Sequence, residues 1–185
     1  LVLNLAGAEC APQVTARAPR LAPLCGDLQR GKRRHDGEAG LTLDLAVRFV
    51  DLAPGQVILD TRDAAGRGYC LRTTDRGTVG FEMCDGWQAA AWDCDAGLLK
   101  TNTLQHVVIS VDGRANVICF VVDGLLNDGG QQRPFGFGRF SPILKDISGA
   151  RELRIAPALH GELRHLRLYN RALRTSEAIG NCQAL

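Results

Sequence analysis

The stretch Leu41-Thr42-Leu43-Asp44-Leu45-Ala46-Val47-Arg48-Phe49 alternates apolar with mostly smaller or polar residues. Successive side chains of a strand point to opposite faces, so this period of two gathers Leu41, Leu43, Leu45, Val47 and Phe49 on one side. A helix cannot bury that pattern on one side, and the segment is expected to form a half-buried strand. Downstream the grammar repeats. Short β-favouring runs at 56–61, 68–74, 78–84 and 88–93 are separated by Gly, Asp and Pro, and Thr74-Asp75-Arg76-Gly77 has the composition of a hairpin turn. Two longer runs, 105–112 and 116–123, are joined by Gly113-Arg114-Ala115 and predict an antiparallel pair.

A long connection over 124–150 carries Pro134-Phe135-Gly136-Phe137-Gly138, after which strand character resumes at 151–156 and 162–169. A short helix is expected to begin at Thr175 or Ser176. Upstream, residues 1–40 are rich in Ala, Pro, Gly and Arg without periodicity and read as an irregular lead-in or the end of a linker. Turns every ten residues or so, with almost no helical periodicity, predict an all-β protein. The expected architecture is an antiparallel two-sheet sandwich of jelly-roll type over 41–185, its strands paired non-locally, with a short C-terminal helix.

The totals narrow the function. At 185 residues and 45% hydrophobic content the chain can bury one core unaided. No apolar run approaches the roughly 20 residues of a membrane-spanning helix, so membrane insertion is not expected. Lys and Arg number 22 against 20 Asp and Glu, a net charge of +2 that leaves no footprint of nucleic-acid binding. The apolar start, Leu1 to Ala8, lacks the basic leader of a signal peptide, and Glu9 before Cys10 does not fit a lipoprotein cleavage site.

Leu104-Gln105-His106-Val107-Val108-Ile109-Ser110-Val111-Asp112-Gly113, then 117–124 ending in Val122-Asp123-Gly124, resembles the central hairpin of laminin-G-like jelly rolls. Gly161-Glu162-Leu163-Arg164-His165-Leu166-Arg167-Leu168-Tyr169-Asn170-Arg171-Ala172-Leu173, followed by Ser176-Glu177-Ala178-Ile179, resembles that family's closing signature. The resemblance covers roughly 41–182 and implies membership of the concanavalin A-like lectin and glucanase superfamily. It implies structural roles for the closing motif: Tyr169 buries its ring and hands its hydroxyl to a backbone partner, Arg171 braces a loop, and Leu173 tucks the helix onto the sheet. Two positions depart from the family: Leu104 stands for its Trp, and Arg164 for an acidic residue, which argues against a structural calcium there.

The superfamily's glucanases need paired carboxylates, Glu-x-Asp-x-x-Glu on one strand face. None of Glu9, Glu38, Glu82, Glu152, Glu162 and Glu177 is so spaced, and Glu82 with Asp85 aim at opposite faces of a strand. His160 and His165 are five apart and read as two edge histidines of a sheet rather than a zinc-protease motif. The domain is therefore expected to be non-catalytic. Seven cysteines (Cys10, Cys25, Cys70, Cys84, Cys94, Cys119, Cys182) show no CxxC pair. Given the fold, disulfides in an extracellular or periplasmic setting are favoured over buried thiols, with Cys119 left free by the odd count.

The densest recognition-type residues are Asp85, Trp87, Trp92 and Asp93, between Cys84 and Cys94, which could close a small loop. Indole stacks on the apolar face of a sugar and carboxylates bond its hydroxyls. Trp92, after Ala89-Ala90-Ala91, also fits a core position, whereas Trp87 fits a surface one. Asp93-x-Asp95 resembles the start of a calcium loop without the EF-hand's closing Glu, and no other cofactor is expected. Arg30, Lys32, Arg33 and Arg34 form a basic run that is either solvated loop or a patch for sulfated glycans. Phe135, Phe137 and Phe140 either line a groove or fold back on the sandwich edge. Two functions remain: a carbohydrate-binding accessory module of a secreted polysaccharide-degrading or cell-surface protein, binding neutral or sulfated glycan, or a protein-interaction or structural domain that packs on a partner or a neighbouring catalytic domain.

Overall fold

The computed structural model describes residues 2–4, 14–19, 21, 24, 39–144 and 146–184. The decisive strand forms as expected: β3 spans Gly40–Phe49, and Leu41, Leu43, Leu45, Val47 and Phe49 are fully buried in the main core. Each such side chain contributes about 1.5–3 kcal/mol by leaving water. The strand is not half-buried, however, because Thr42, Asp44 and Ala46 on its other face are buried too. A helix, α1 (Thr175–Gln183), and the segment leading to it lie over that face. Periodicity reveals that a strand has two faces, but not what a distant segment lays on the second.

The remaining strands are β1 (Val2–Asn4), β2 (Val14–Arg17), β4 (Val57–Asp60), β5 (Gly68–Thr73), β6 (Val79–Cys84) and β7 (Ala89–Asp93). After them come β8 (Leu104–Asp112), β9 (Val117–Val122), β10 (Leu125–Leu126), β11 (Phe137–Arg139), β12 (Glu152–Ile155) and β13 (Gly161–Tyr169). One sheet runs β1-β13-β3-β8-β9, with β10 and β11 in tandem on the outer edge of β9. The other runs β2-β12-β4-β5-β6-β7. All pairings between named strands are antiparallel, and neighbours distant in sequence alternate with hairpins. The result is a two-sheet jelly-roll sandwich with one C-terminal helix.

Residues 1–40 are not irregular throughout. β1 and β2 complete the outer edges of the two sheets against β13 and β12, and Leu24 is fully buried in the core. Strands of three and four residues are too short to show a period. The same holds for β10 and β11 inside the long connection.

The motif residues knit distant elements together. The Asp123 carboxylate accepts from the His106 backbone N–H and the Gln105 side chain at 2.8 and 2.7 Å, locking the ends of β8 and β9. Arg171 pairs bidentately with Glu177 at 3.0 and 2.8 Å, and Glu177 caps α1 at the Arg174 N–H. Thr42 and Ser110 hold the backbone of Arg171 and Leu173 at 2.8–3.0 Å, so the helix enters at a fixed angle. The Tyr169 hydroxyl meets the Asn181 side chain at 3.1 Å rather than a backbone group. His165 is not at an edge: β13 lies between β1 and β3, and the ring sits beside Asp44.

Candidate functional site

The β6–β7 hairpin decides where the tryptophans go. The Asp85 carboxylate accepts from the backbone N–H groups of Trp87 and Gln88 at 2.9 and 2.8 Å, and Gly86 takes φ 97°, which closes the tight turn. With the backbone so held, the Trp87 side chain projects outward, 93% exposed. Trp92, at the far end of β7, packs against the core. The Arg133 guanidinium lies 4.2 Å from its ring, and Gly138 presses on it so closely that a Cβ there would sit 2.6 Å from the indole. The two tryptophans therefore do not share one surface: Trp87 is exposed and Trp92 is packed against the core.

Asp93 and Asp95 are already bridged by a cation of the protein itself. Arg133 Nη1 reaches Asp93 at 3.0 Å and Nη2 reaches Asp95 at 2.7 Å, while Thr78 Oγ1 and Arg76 also donate to Asp93. The other Asp95 oxygen accepts from the N–H groups of Asp128 and Gly129, both at 3.0 Å. The two carboxylates expected to start a calcium loop are thus already paired with the Arg133 guanidinium. Among the described residues no group of three or more His, Cys, Asp or Glu is placed to hold a metal. Millimolar calcium is accordingly expected to leave the melting temperature unchanged within about 1 °C in a thermal melt, and a rise of several degrees would contradict this bridge.

The disulfide expectation is likewise corrected. Cys70, Cys84, Cys94, Cys119 and Cys182 are all free, and Cys119 is one free thiol among these five. Cys84 faces outward from β6 while Cys94 is buried in the core and accepts from the Val79 N–H, so no bridge closes across the tryptophans. Burial pushes the Cys94 thiol up to about 12 and that of Cys70 to about 11, which keeps both protonated. Cys10, Cys25 and the basic run Arg30, Lys32, Arg33 and Arg34 lie outside the described residues.

The outer face of the six-stranded sheet carries a row of polar residues in register: Arg154 beside Asp60, Asp60 beside Cys70, Cys70 beside Glu82, and Glu82 beside Ala91. Asp60 receives Arg62 through two side-chain contacts at 3.0 and 2.9 Å and Arg154 at 2.7 Å. Burial opposes its ionisation, but the Arg62 hydrogen bonds and the two guanidinium charges outweigh that and hold its carboxyl below the usual range. Arg72 pairs with Glu82 at 3.1 Å. Beside this row, Gly68, Ala89 and Ala91 are too small to fill the surface, leaving an open depression of about 380 Å³ walled by Arg62 and Glu82. Cys84 and Ala89, which flank the hairpin bearing Trp87, line it too. The hairpin that carries the exposed indole thus borders a hollow with charged walls. The arginines escaped the sequence reading because Arg62, Arg72 and Arg154 are scattered along the chain and meet only through strand pairing.

No family model and no curated protein sequence matches the chain. Among solved structures, the CBM40 of a Ruminococcus gnavus IT-sialidase bound to α2,3-sialyllactose matches with a TM-score of 0.61 at 16% identity, over 91% of this chain and 98% of that one. The botulinum neurotoxin serotype G binding domain matches at 0.66 and 11% identity, over 99% of this chain but 42% of that one. The botulinum neurotoxin DC binding domain in complex with SialylT matches at 0.59 and 9% identity, over 83% and 37%. At these identities the likeness is one of fold, and the sandwich is of the concanavalin A-like kind.

Proposed function

We propose that the chain is a non-catalytic glycan-binding module, that the sandwich over 41–185 closed by β1 and β2 is its binding unit, and that acidic glycans bind on the outer face of the six-stranded sheet. The observation that carries the reading is Trp87, 93% exposed on the hairpin that borders the depression walled by Arg62 and Glu82. An indole stacks on a pyranose face while guanidinium and carboxylate groups bond its substituents. Arg62, Arg72 and Arg154 meet two carboxylates, Asp60 and Glu82, so one positive charge is in surplus and a sugar acid is favoured over a neutral sugar. The structures bound to sialyllactose on the same fold support this ligand class, and the laminin-G-like motifs support a binding role for the sandwich.

Catalysis is disfavoured on this face because Asp60, held ionised by two arginines, carries no proton for a departing sugar. The module is then an accessory of a secreted polysaccharide-degrading or cell-surface protein, outside the cytoplasm where such glycans are met. The protein-interaction reading draws on a different observation, the exposed Leu125 and Leu126 of the edge strand β10 and the exposed Phe135 just before β11. A glycan array separates the two: saturable binding that favours sialylated or sulfated glycans over their neutral parents is expected. Silence across all three classes would leave the interaction reading standing instead.

A further inference from the structure

Beneath α1 lies a polar cluster that the glycan face does not use. Asp44, in the middle of β3 and fully buried, accepts from His106 at 2.8 Å on Oδ1 and from the Asn181 side chain at 2.6 Å on Oδ2. His165 Nε2 is 3.9 Å from the same Oδ1, too far for a hydrogen bond, and both His165 Nε2 and His106 Nδ1 are buried without a hydrogen-bond partner. The groups facing this carboxylate are therefore His106 from β8, His165, Arg167 and Tyr169 from β13, and Asn181 and Cys182 from α1, with Asp123 near Cys182.

Thr42 and Ser110 tie the segment leading into the helix, and the helix itself is held more lightly. Its buried apolar residue is Ala178, against Val108 and Val121 with Ile179 alongside, and its polar ties are Asn181 to Asp44 and Tyr169 and Glu177 to Arg171. The strands below it are bonded along their lengths on both edges. Opening of α1 is thus the least costly way to bring water to the cluster.

We propose that this cluster is an acid-sensitive latch: protonation of His165 releases α1 from the sheet, exposing Val108, Val121 and Cys182, while the sandwich stays folded. Asp44 is already engaged by His106 and Asn181, so it cannot fully compensate a charged His165 with Arg167 close by. Burial, with Arg167 and His106 adding to it, depresses the affinity of His165 for a proton, and Asp44 only partly opposes this. The sign follows. A histidine depressed in the closed state is protonated first in the open one, so closure is fully present above the ordinary histidine value of about 6.5 and weakens as pH falls through it. Asp44 is the opposite case: burial raises its affinity for protons, but His106 and Asn181 outweigh that, so its contribution is lost only in stronger acid, below the usual carboxylate range.

Amide hydrogen exchange on the intact chain, corrected for intrinsic rates, tests the latch at about pH 7.5 and about pH 5. Peptides over 175–183 are expected to lose protection roughly fivefold in acid while those over β3 and β8 keep theirs. His165→Gln should keep the neutral protection and abolish the acid loss, and Asn181→Ala should lower protection at both pH values. A helix whose protection is flat between the two pH values overturns the proposal. So does an acid loss that persists in His165→Gln, or one shared equally by β3 and β8, and the wild-type comparison decides even where a variant folds poorly.

Discussion

Replacing Trp92 by alanine is expected to destabilise the protein by about 3–5 kcal/mol, the range for deleting a large aromatic from a packed site. The ring is held between the core, Gly138 and the Arg133 guanidinium, so its removal opens a cavity that rigid strands cannot close. It also strips the apolar support from under Arg133, whose side chain is 13% exposed and bridges Asp93 and Asp95. The melting temperature should fall by roughly 6–20 °C for a chain of this length. Denaturant unfolding with an unchanged m-value would confirm that stability, not compactness, was lost. A loss under about 1 kcal/mol would mean that Trp92 is not the core residue described above.

Trp87→Ala should do the reverse. The side chain is 93% exposed and the turn beneath it is held by Asp85 through backbone N–H groups, which alanine retains. Stability should stay within about 0.5 kcal/mol of wild type. Affinity for an acidic oligosaccharide should drop about tenfold, the equivalent of about 1.4 kcal/mol of lost stacking. Calorimetric titration of both proteins measures it, and unchanged affinity would remove the indole from the site. Five positions apart in sequence, the two tryptophans are thus assigned opposite effects.

Much of the sandwich was legible because the side chains that a long strand sends into the core recur every second residue, as in β3 and β8. What escaped was structure too short to alternate, β1, β2, β10 and β11, and structure that depends on a distant partner. Arg133 is the clearest case: it lies 40 positions from Asp93, and nothing local marks it as the partner of both Asp93 and Asp95. Cysteine spacing misled for a related reason, since Cys84 and Cys94 look fit to close a loop until strand alternation sends one outward and the other into the core. Of the candidate ligand residues, Trp87 emerged exposed on the hairpin that borders a depression. Arg62 and Glu82, which wall that depression, come together only through the order β4-β5-β6.

The glycan face itself is tested most directly by backbone amide chemical-shift mapping during titration with sialyllactose. Saturable shifts should concentrate on Arg62, Gly68, Glu82, Cys84, Trp87 and Ala89–Ala91 around the depression. Shifts gathered instead about Leu125, Leu126 and Phe135, or none at millimolar ligand, would contradict a glycan site on the outer face of the six-stranded sheet.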